Sequence, residues 1–306
     1  MTTIGVVGLG AMGGRIAGRL LAQGNNVRGT NRTRAKASAL LTKGLVWRDT
    51  PRATAQGSDV VISMVTDDDA LAAVTDGQDG ILAGLEPSSI YIDMSTVSPQ
   101  TTRALAERVA ARGAAMLAAP VSGSVPAAEE GSLVIIAGGP AGAFERVEPI
   151  LRELGSTVTL VADASEALLL KLAINVSLAV QMLAFSEGVL LAERGGVDRN
   201  VALEVMTHSA IGSPMLQARA ALLRELPNNA WFDVAMMQKD LRLALDTGRD
   251  EGVPMPSTIV ADEILSTASA AGYRHRDIAV MFRTLADLPA VPRARPSART
   301  GGSVPA

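Results

Sequence analysis

The first thirteen residues restrict the fold more than any other part of the chain. A short apolar run at 4–8 leads into Gly8-Leu9-Gly10-Ala11-Met12-Gly13, and a stretch with helical spacing follows at 12–23. Strand, glycine turn and helix in that order open a dinucleotide-binding unit. Gly8 permits the tight turn, Gly10 lets the backbone approach a pyrophosphate, and Gly13 lets helix and strand pack closely. The free N–H groups and positive dipole end of the helix then suit phosphates. The same six residues can also form an ordinary glycine-rich turn. Their place between two secondary-structure elements, with a second strand expected at 26–30, favours the dinucleotide site.

The rhythm continues through the first half. Val- and Ile-rich runs at 4–8, 26–30, 60–65, 90–93, 114–118, 133–137 and 157–160 alternate with helical stretches at 12–23, 34–42, 67–73, 100–111 and 141–154. Near-continuous apolar strands separated by helices predict a parallel sheet covered on both faces. Strand signals stop after residue 161. Asp163 is a suitable N-cap and Gly195-Gly196 a suitable stop, which predicts one helix roughly 45 Å long between them. Further helices are expected at 199–208, 213–225, 234–251, 256–271 and 277–286. The expected fold is therefore α/β: a doubly wound Rossmann domain over 1–162, then an all-α substrate and dimerisation domain over 163–288, joined by the long helix. The segment 289–306 has four prolines and no hydrophobic periodicity, and is expected to be a disordered tail.

Composition removes several classes of function. Lys plus Arg is 28 against 31 Asp plus Glu, a net charge of −3, so the basic bias of a nucleic-acid binder is missing. Without cysteine there is no disulfide, thiolate nucleophile or Cys-ligated zinc, and the chain suits a reducing, cytoplasmic setting. Histidine occurs only at His208 and His275, so no metal site is expected. The N-terminus has no basic segment ahead of an apolar one, so no signal peptide is read there. The most apolar stretch, 168–191, is interrupted by Lys171, Asn175, Gln181 and Glu187, which predicts a buried helix rather than a membrane span.

Cofactor choice is read at the end of the second strand. NAD binders carry an acid there for the ribose 2′-hydroxyl; this chain has Asn31-Arg32-Thr33. Arg32 can pair with a 2′-phosphate, Asn31 and Thr33 add donors, and no carboxylate is present to repel that phosphate. The expected cofactor is NADP(H). A solvated surface arginine is the alternative for Arg32 taken by itself.

Four motifs in order resemble the β-hydroxyacid dehydrogenases, the family of 3-hydroxyisobutyrate dehydrogenase, tartronate semialdehyde reductase and glyoxylate/succinic semialdehyde reductase. They are the glycine motif, Asp93-Met94-Ser95-Thr96-Val97-Ser98-Pro99, Ala119-Pro120-Val121-Ser122-Gly123-Ser124, and Lys171 with Asn175. The likeness runs from about residue 3 to 287. Met237-Gln238-Lys239-Asp240-Leu241-Arg242-Leu243-Ala244 is most similar to the glyoxylate/succinic semialdehyde reductase branch. The resemblance implies an active site in the cleft between the two domains. It also implies reversible hydride transfer between NAD(P) and a small carboxylate-bearing aldehyde or hydroxy acid, and a homodimer or homotetramer. The chain departs from the family pattern at Ala118, Ser124, Ile174 and the glycine-free segment 161–166, which leaves the substrate open.

Such a reaction needs a group that gives a proton to the carbonyl oxygen and takes it back in oxidation. Lys171, a lone charge in an apolar helical stretch, fits if burial lowers its affinity for the proton. Composition alone allows equally a lysine whose stem lies along the helix with its head in water. Asn175, four residues on, shares its helix face and can orient the amine or bond substrate; an inter-helix polar contact is the alternative. Ser122 and Gly123, expected in a loop, can hold a carboxylate, or form an ordinary turn. Thr96, Met64 and Val65 follow strand ends, where cofactor and substrate meet. Lys239 is carried over by the resemblance as a second cation near cofactor or substrate. Two other readings stay open: an imine reductase or reductive aminase on the same fold, and a cofactor-binding module without chemistry.

Overall fold

A computed structural model describes residues 2–289. Apart from its first residue, the tail expected to be disordered lies outside the described residues. Nine strands form one sheet: β1 (Thr3–Val7), β2 (Asn26–Thr30), β3 (Val46–Trp47), β4 (Val60–Ser63), β5 (Ile90–Asp93), β6 (Ala115–Ala118), β7 (Val121–Ser122), β8 (Leu133–Gly138) and β9 (Gly155–Val161). Their order is β3-β2-β1-β4-β5-β6-β8-β7, with β9 also paired to β8. The strands from β1 to β6 run parallel, as the strand–helix alternation predicts.

The sheet is not parallel throughout: β8 runs antiparallel to both β6 and β7. Only ten residues, 123–132, separate β7 from β8. That is short of the dozen or more that a parallel crossover needs, so the chain folds back on itself. Both β3 and β7 are two residues long, too short to show a hydrophobic period.

Adjacent residues along each strand face opposite sides of the sheet. Val6, Ile62, Ile92, Leu117 and Ile135 join a core with Ile16 and Leu20 of the helix Ala11–Ala22 and Val147 and Leu151 of the helix Ala141–Leu154. Val7, Val61, Tyr91, Met116 and Ile136 join a second core with Leu71, Leu105, Val109 and Leu168. A third core lies wholly within the helical half.

The helix Ala164–Arg194 links these parts. Asp163 caps its first turn, accepting from the backbone N–H of Ser165 and Glu166, and Gly195 ends it. Its 31 residues span about 46 Å. Ala164, Ala167 and Leu168 belong to the sheet's second core, with Ile174 packed against it; from Val176 and Ala179 onward the helix packs into the helical core. Its partner therefore changes between Ile174 and Val176. Among the described residues this is the one helix long and apolar enough to cross a membrane, and 39% of its most apolar window is buried within the protein.

Three of the remaining expected helices end or break earlier than periodicity suggests, and a fourth opens irregularly. The stretch at 34–42 is a 3₁₀ turn, Arg34–Ala37, followed by Ser38–Leu41. That at 213–225 is Pro214–Arg219 followed by a 3₁₀ turn, Ala220–Leu223. That at 256–271 is Pro256–Ala268 followed by a π turn containing Gly272 at φ 90°. That at 277–286 opens as a 3₁₀ turn, Ile278–Val280, before Met281–Asp287. One ion pair braces the helical half from inside. Arg219 Nη1 lies 2.7 Å from Asp277 Oδ1, and Asp277 Oδ2 accepts from the backbone N–H of Trp231 and Phe232.

Candidate active site

The glycine turn is built around close approaches. Gly8 sits at φ +93°, and a Cβ there would lie 2.4 Å from the Met64 carbonyl oxygen. A Cβ on Gly13 would lie 1.9 Å from the Gly8 carbonyl oxygen. At Gly10, the N-cap of the helix Ala11–Ala22, no atom lies within 4 Å of such a Cβ. Gly8 and Gly13 thus serve internal packing, whereas Gly10 faces open space at a helix N-terminus, where a pyrophosphate fits. Leu9 N–H donates to Asn31 Oδ1 at 3.1 Å, and the Asn31 amide donates to the Thr33 carbonyl at 3.0 Å. Asn31 therefore ties the glycine turn to the end of β2. Arg32 beside it is exposed and pairs with no carboxylate among the described residues. These features suit a dinucleotide.

Met64 and Val65 leave the end of β4 directly against Gly8, whose Cβ would lie 3.3 Å from Val65 Cγ1. Beneath them is a buried polar cluster. Asp93, at the end of β5 and 0% exposed, accepts at Oδ1 from Ser63 Oγ (2.6 Å), Ser95 Oγ (2.7 Å) and Ser95 N–H (3.2 Å). Tyr91 OH lies 2.7 Å from Ser63 Oγ, and Val65 N–H donates to Ser95 Oγ at 3.0 Å. Burial pushes the Asp93 carboxyl above its ordinary range and the Tyr91 phenol well above its own.

Across the cleft, Lys171 is 8% exposed and its ammonium donates to Asn175 Oδ1 at 3.0 Å. Asn175 Nδ2 donates to Asp240 Oδ2 at 2.5 Å. Asp240 Oδ1 lies 2.7 Å from Lys239 Nζ, and Lys239 donates to the Thr96 carbonyl on the Rossmann side. A continuous polar chain thus crosses from the helical half to the end of β5. Lys171 and Asn175 are both buried and stand where the long helix passes from one core to the other. Burial lowers the Lys171 amine to about 8, with Lys239 pushing the same way and Asp240 opposing.

Ser122 is not in a loop: it ends β7, which the long helix touches. Gly123 follows at φ +126°, and a Cβ there would lie 2.9 Å from Leu133 Cδ2, so a side chain is excluded. The structure joins Lys171, Asn175, Lys239 and Thr96 in one network. Gly8 to Gly13, Asn31, Met64 and Val65 form a second cluster, with Arg32 and Thr33 at its rim. Ser122 and Gly123 flank the long helix without a direct bond to Lys171.

Sequence reasoning missed the role of Asp240. A signal was available: the helix Val234–Asp250 buries Met237, Leu241 and Ala244 on one face, and Asp240 falls on that same stripe. A carboxylate on a buried stripe demands a partner. The partner, Asn175, is 65 residues away, and nothing local joins it to Asp240.

Comparison with known proteins accords with this geometry. Residues 3–162 match the NAD-binding domain of 6-phosphogluconate dehydrogenase, and residues 166–285 match the corresponding domain of NADP-dependent 3-hydroxyisobutyrate dehydrogenase. The chain belongs to the β-hydroxyacid dehydrogenase family, and both matched domains are those of NAD(P)-dependent dehydrogenases. An uncharacterised oxidoreductase of Bacillus subtilis, YfjR, is 34% identical over 92% of this chain and 99% of its own. Glyoxylate/succinic semialdehyde reductase 2 of Arabidopsis thaliana is 29% identical over 92% of this chain and 79% of its own. The structure of Mycobacterium tuberculosis 3-hydroxyisobutyrate dehydrogenase with L-serine superposes with a TM-score of 0.83 at 28% identity, covering 93% of this chain and 99% of that one.

Proposed function

We propose that the protein is an NADPH-dependent reductase of a small aldehyde acid, running reversibly as a hydroxyacid dehydrogenase, with Lys171 as the proton donor. The observation that carries this reading is the Lys171 amine, buried at the cleft and lowered to about 8, close enough to neutrality to exchange a proton in either direction. Bound NADPH supplies the hydride. Lys171 gives a proton to the carbonyl oxygen as negative charge grows there, and in oxidation takes it from the alcohol. Asn175 holds the amine through Oδ1 and is itself held by Asp240, so the ammonium has a fixed direction. Ser122 and the backbone beside Gly123 anchor the substrate carboxylate. Met64, Val65 and Thr96 line the nicotinamide end, and Lys239 braces the Thr96 carbonyl.

The preference for NADP(H) rests on Arg32 in place of an acid, and is supported by the NADP-dependent character of the family matched over residues 166–285. The same reading takes the protein to be a cytoplasmic homodimer or homotetramer. Leu191, Val201 and Val205, at 77%, 51% and 62% exposure, supply apolar surface of the kind that subunit contacts cover.

The test is a spectrophotometric screen of glyoxylate, succinic semialdehyde, tartronate semialdehyde, 3-hydroxyisobutyrate and serine with both nicotinamide cofactors, alongside Lys171→Ala. Turnover is expected with at least one substrate, faster with NADP(H). The variant loses turnover and keeps NADPH binding. Lys171→Ala activity within tenfold of wild type would exclude the proton-transfer role. Reduction of cyclic imines in preference to every acid would favour an imine reductase.

A further inference from the structure

We propose that Asp93 is a positioning residue for the reaction: through Ser95 it sets the two loops that carry Val65 and Thr96, and through Thr96 it sets Lys239. This rests on the reductase reading above.

Asp93 Oδ1 receives three hydrogen bonds and Oδ2 receives none, although the residue is 0% exposed. A buried carboxyl with one crowded oxygen and one bare oxygen is a poor choice for stability alone. The crowded oxygen, however, sits where two loops meet. Ser63 ends β4 and Ser95 follows β5. Each hydroxyl has one hydrogen, and each gives it to Asp93 Oδ1. Both hydroxyl oxygens are then free to accept. The Ser63 oxygen takes the Tyr91 hydroxyl, and the Ser95 oxygen takes the Val65 N–H at 3.0 Å. Asp93 therefore fixes which way the Ser95 hydroxyl points, and that hydroxyl fixes the backbone of Val65.

Val65 packs against Gly8 of the phosphate turn, so its backbone sets one wall beside the bound cofactor. Thr96 is the residue after Ser95, and its carbonyl takes the Lys239 ammonium, which continues to Asp240, Asn175 and Lys171. One carboxyl at the end of β5 thus governs the cofactor-side wall and anchors the polar chain that holds the proton donor. Misplacement by about 1 Å at such a site can lower turnover about 100-fold without a comparable loss of binding.

Three variants test this. Ser95→Ala removes the link to Val65, Asp93→Ala removes the shared acceptor, and Asp93→Asn keeps an acceptor oxygen in the same place. Amide hydrogen exchange of the cofactor-free protein, NADPH affinity and steady-state turnover are measured for each. In Ser95→Ala, exchange at Val65 is expected to quicken at least tenfold and kcat to fall 10- to 100-fold, with the NADPH Kd within threefold of wild type. Asp93→Asn is expected to stay within threefold of wild type in kcat, while Asp93→Ala follows Ser95→Ala. Unchanged exchange at Val65 in Ser95→Ala, or kcat within threefold of wild type, overturns the proposal; so does an Asp93→Asn variant as impaired as Asp93→Ala. If Asp93→Ala does not fold, Ser95→Ala and Asp93→Asn decide alone. Absence of turnover in the wild type would fall on the reductase reading instead, and exchange at Val65 would still decide whether the loop is held as described.

Discussion

Replacing Lys171 by methionine should make the protein more stable while it abolishes turnover. The amine titrates near 10.5 in an unfolded chain and near 8 in the fold, chiefly because burial disfavours its charge. At about 1.4 kcal/mol per pH unit of difference, holding the charged amine costs the folded state about 3 kcal/mol at pH 7. Between about pH 8 and pH 10.5 the unfolded chain binds the extra proton, so stability rises with pH through that window. At pH 9 the remaining cost is about 2 kcal/mol by the same linkage. Methionine has no charge to desolvate and a similar reach. It leaves Asn175 Oδ1 without its donor, a loss of about 1 kcal/mol. Lys171→Met should therefore gain about 2 kcal/mol at pH 7, a rise in Tm of roughly 4–8 °C for a domain of 150–250 residues. Urea unfolding followed by circular dichroism at pH 7 and pH 9 measures both quantities. The wild type should gain roughly 1–1.5 kcal/mol relative to the variant across that interval. A variant less stable than wild type at pH 7, or a difference that does not change with pH, would refute the claim that Lys171 is held against its own desolvation.

Other outcomes follow from the same geometry. Reduction needs the protonated amine, so its kcat/KM should be flat below about pH 8 and fall above it, while oxidation rises through the same point; a pH–rate profile without an inflection between 7 and 9 would count against Lys171. Arg32→Ala should weaken NADPH about 10- to 100-fold in a fluorescence titration and leave NADH unchanged, the size of one charge-assisted bond. Gly10→Ala should melt within about 2 °C of wild type yet bind NADPH poorly, since its Cβ meets only open space. Gly13→Ala should be destabilised by about 1–3 kcal/mol or more, because its Cβ would meet the Gly8 carbonyl. Asp277→Ala strands the buried Arg219 cation and should cost about 3–5 kcal/mol, read by denaturant unfolding.

How much of this was legible in the sequence depends on distance along the chain. The strands at 26–30 and 90–93 and the helices at 141–154 and 199–208 coincide with their predicted bounds, because each carries a clear period and a cap or turn at its ends. The two-residue strands Val46–Trp47 and Val121–Ser122 leave no period to detect, and the turn of β8 against its neighbours depends on a connection too short to cross over. At the site, Lys171 stands out as a charge among leucines, and Asn175 follows one helical turn later. Thr96 is marked by its motif and Asp240 by its place on a buried helix stripe, but nothing in the sequence joins either to Lys171. Asp240 reaches Asn175 by helix packing within the helical half and Thr96 reaches Lys239 only when the two halves meet, and no periodicity joins residues 65 or 143 positions apart.

The long helix has a consequence for how such proteins can change. Because Ala164–Arg194 serves the sheet with its first part and the helical core with its second, the two halves share one rotational phase. Inserting a single residue between Asn175 and Ala179 would turn the far half by about 100° and move it about 1.5 Å along the axis. Every contact beyond that point would then meet the wrong neighbour, and Asp240 would be carried away from Asn175. Substrate-binding halves can be exchanged among relatives only where the splice preserves this phase. A change of side chain in place leaves this phase intact, whereas a change in the length of the shaft does not.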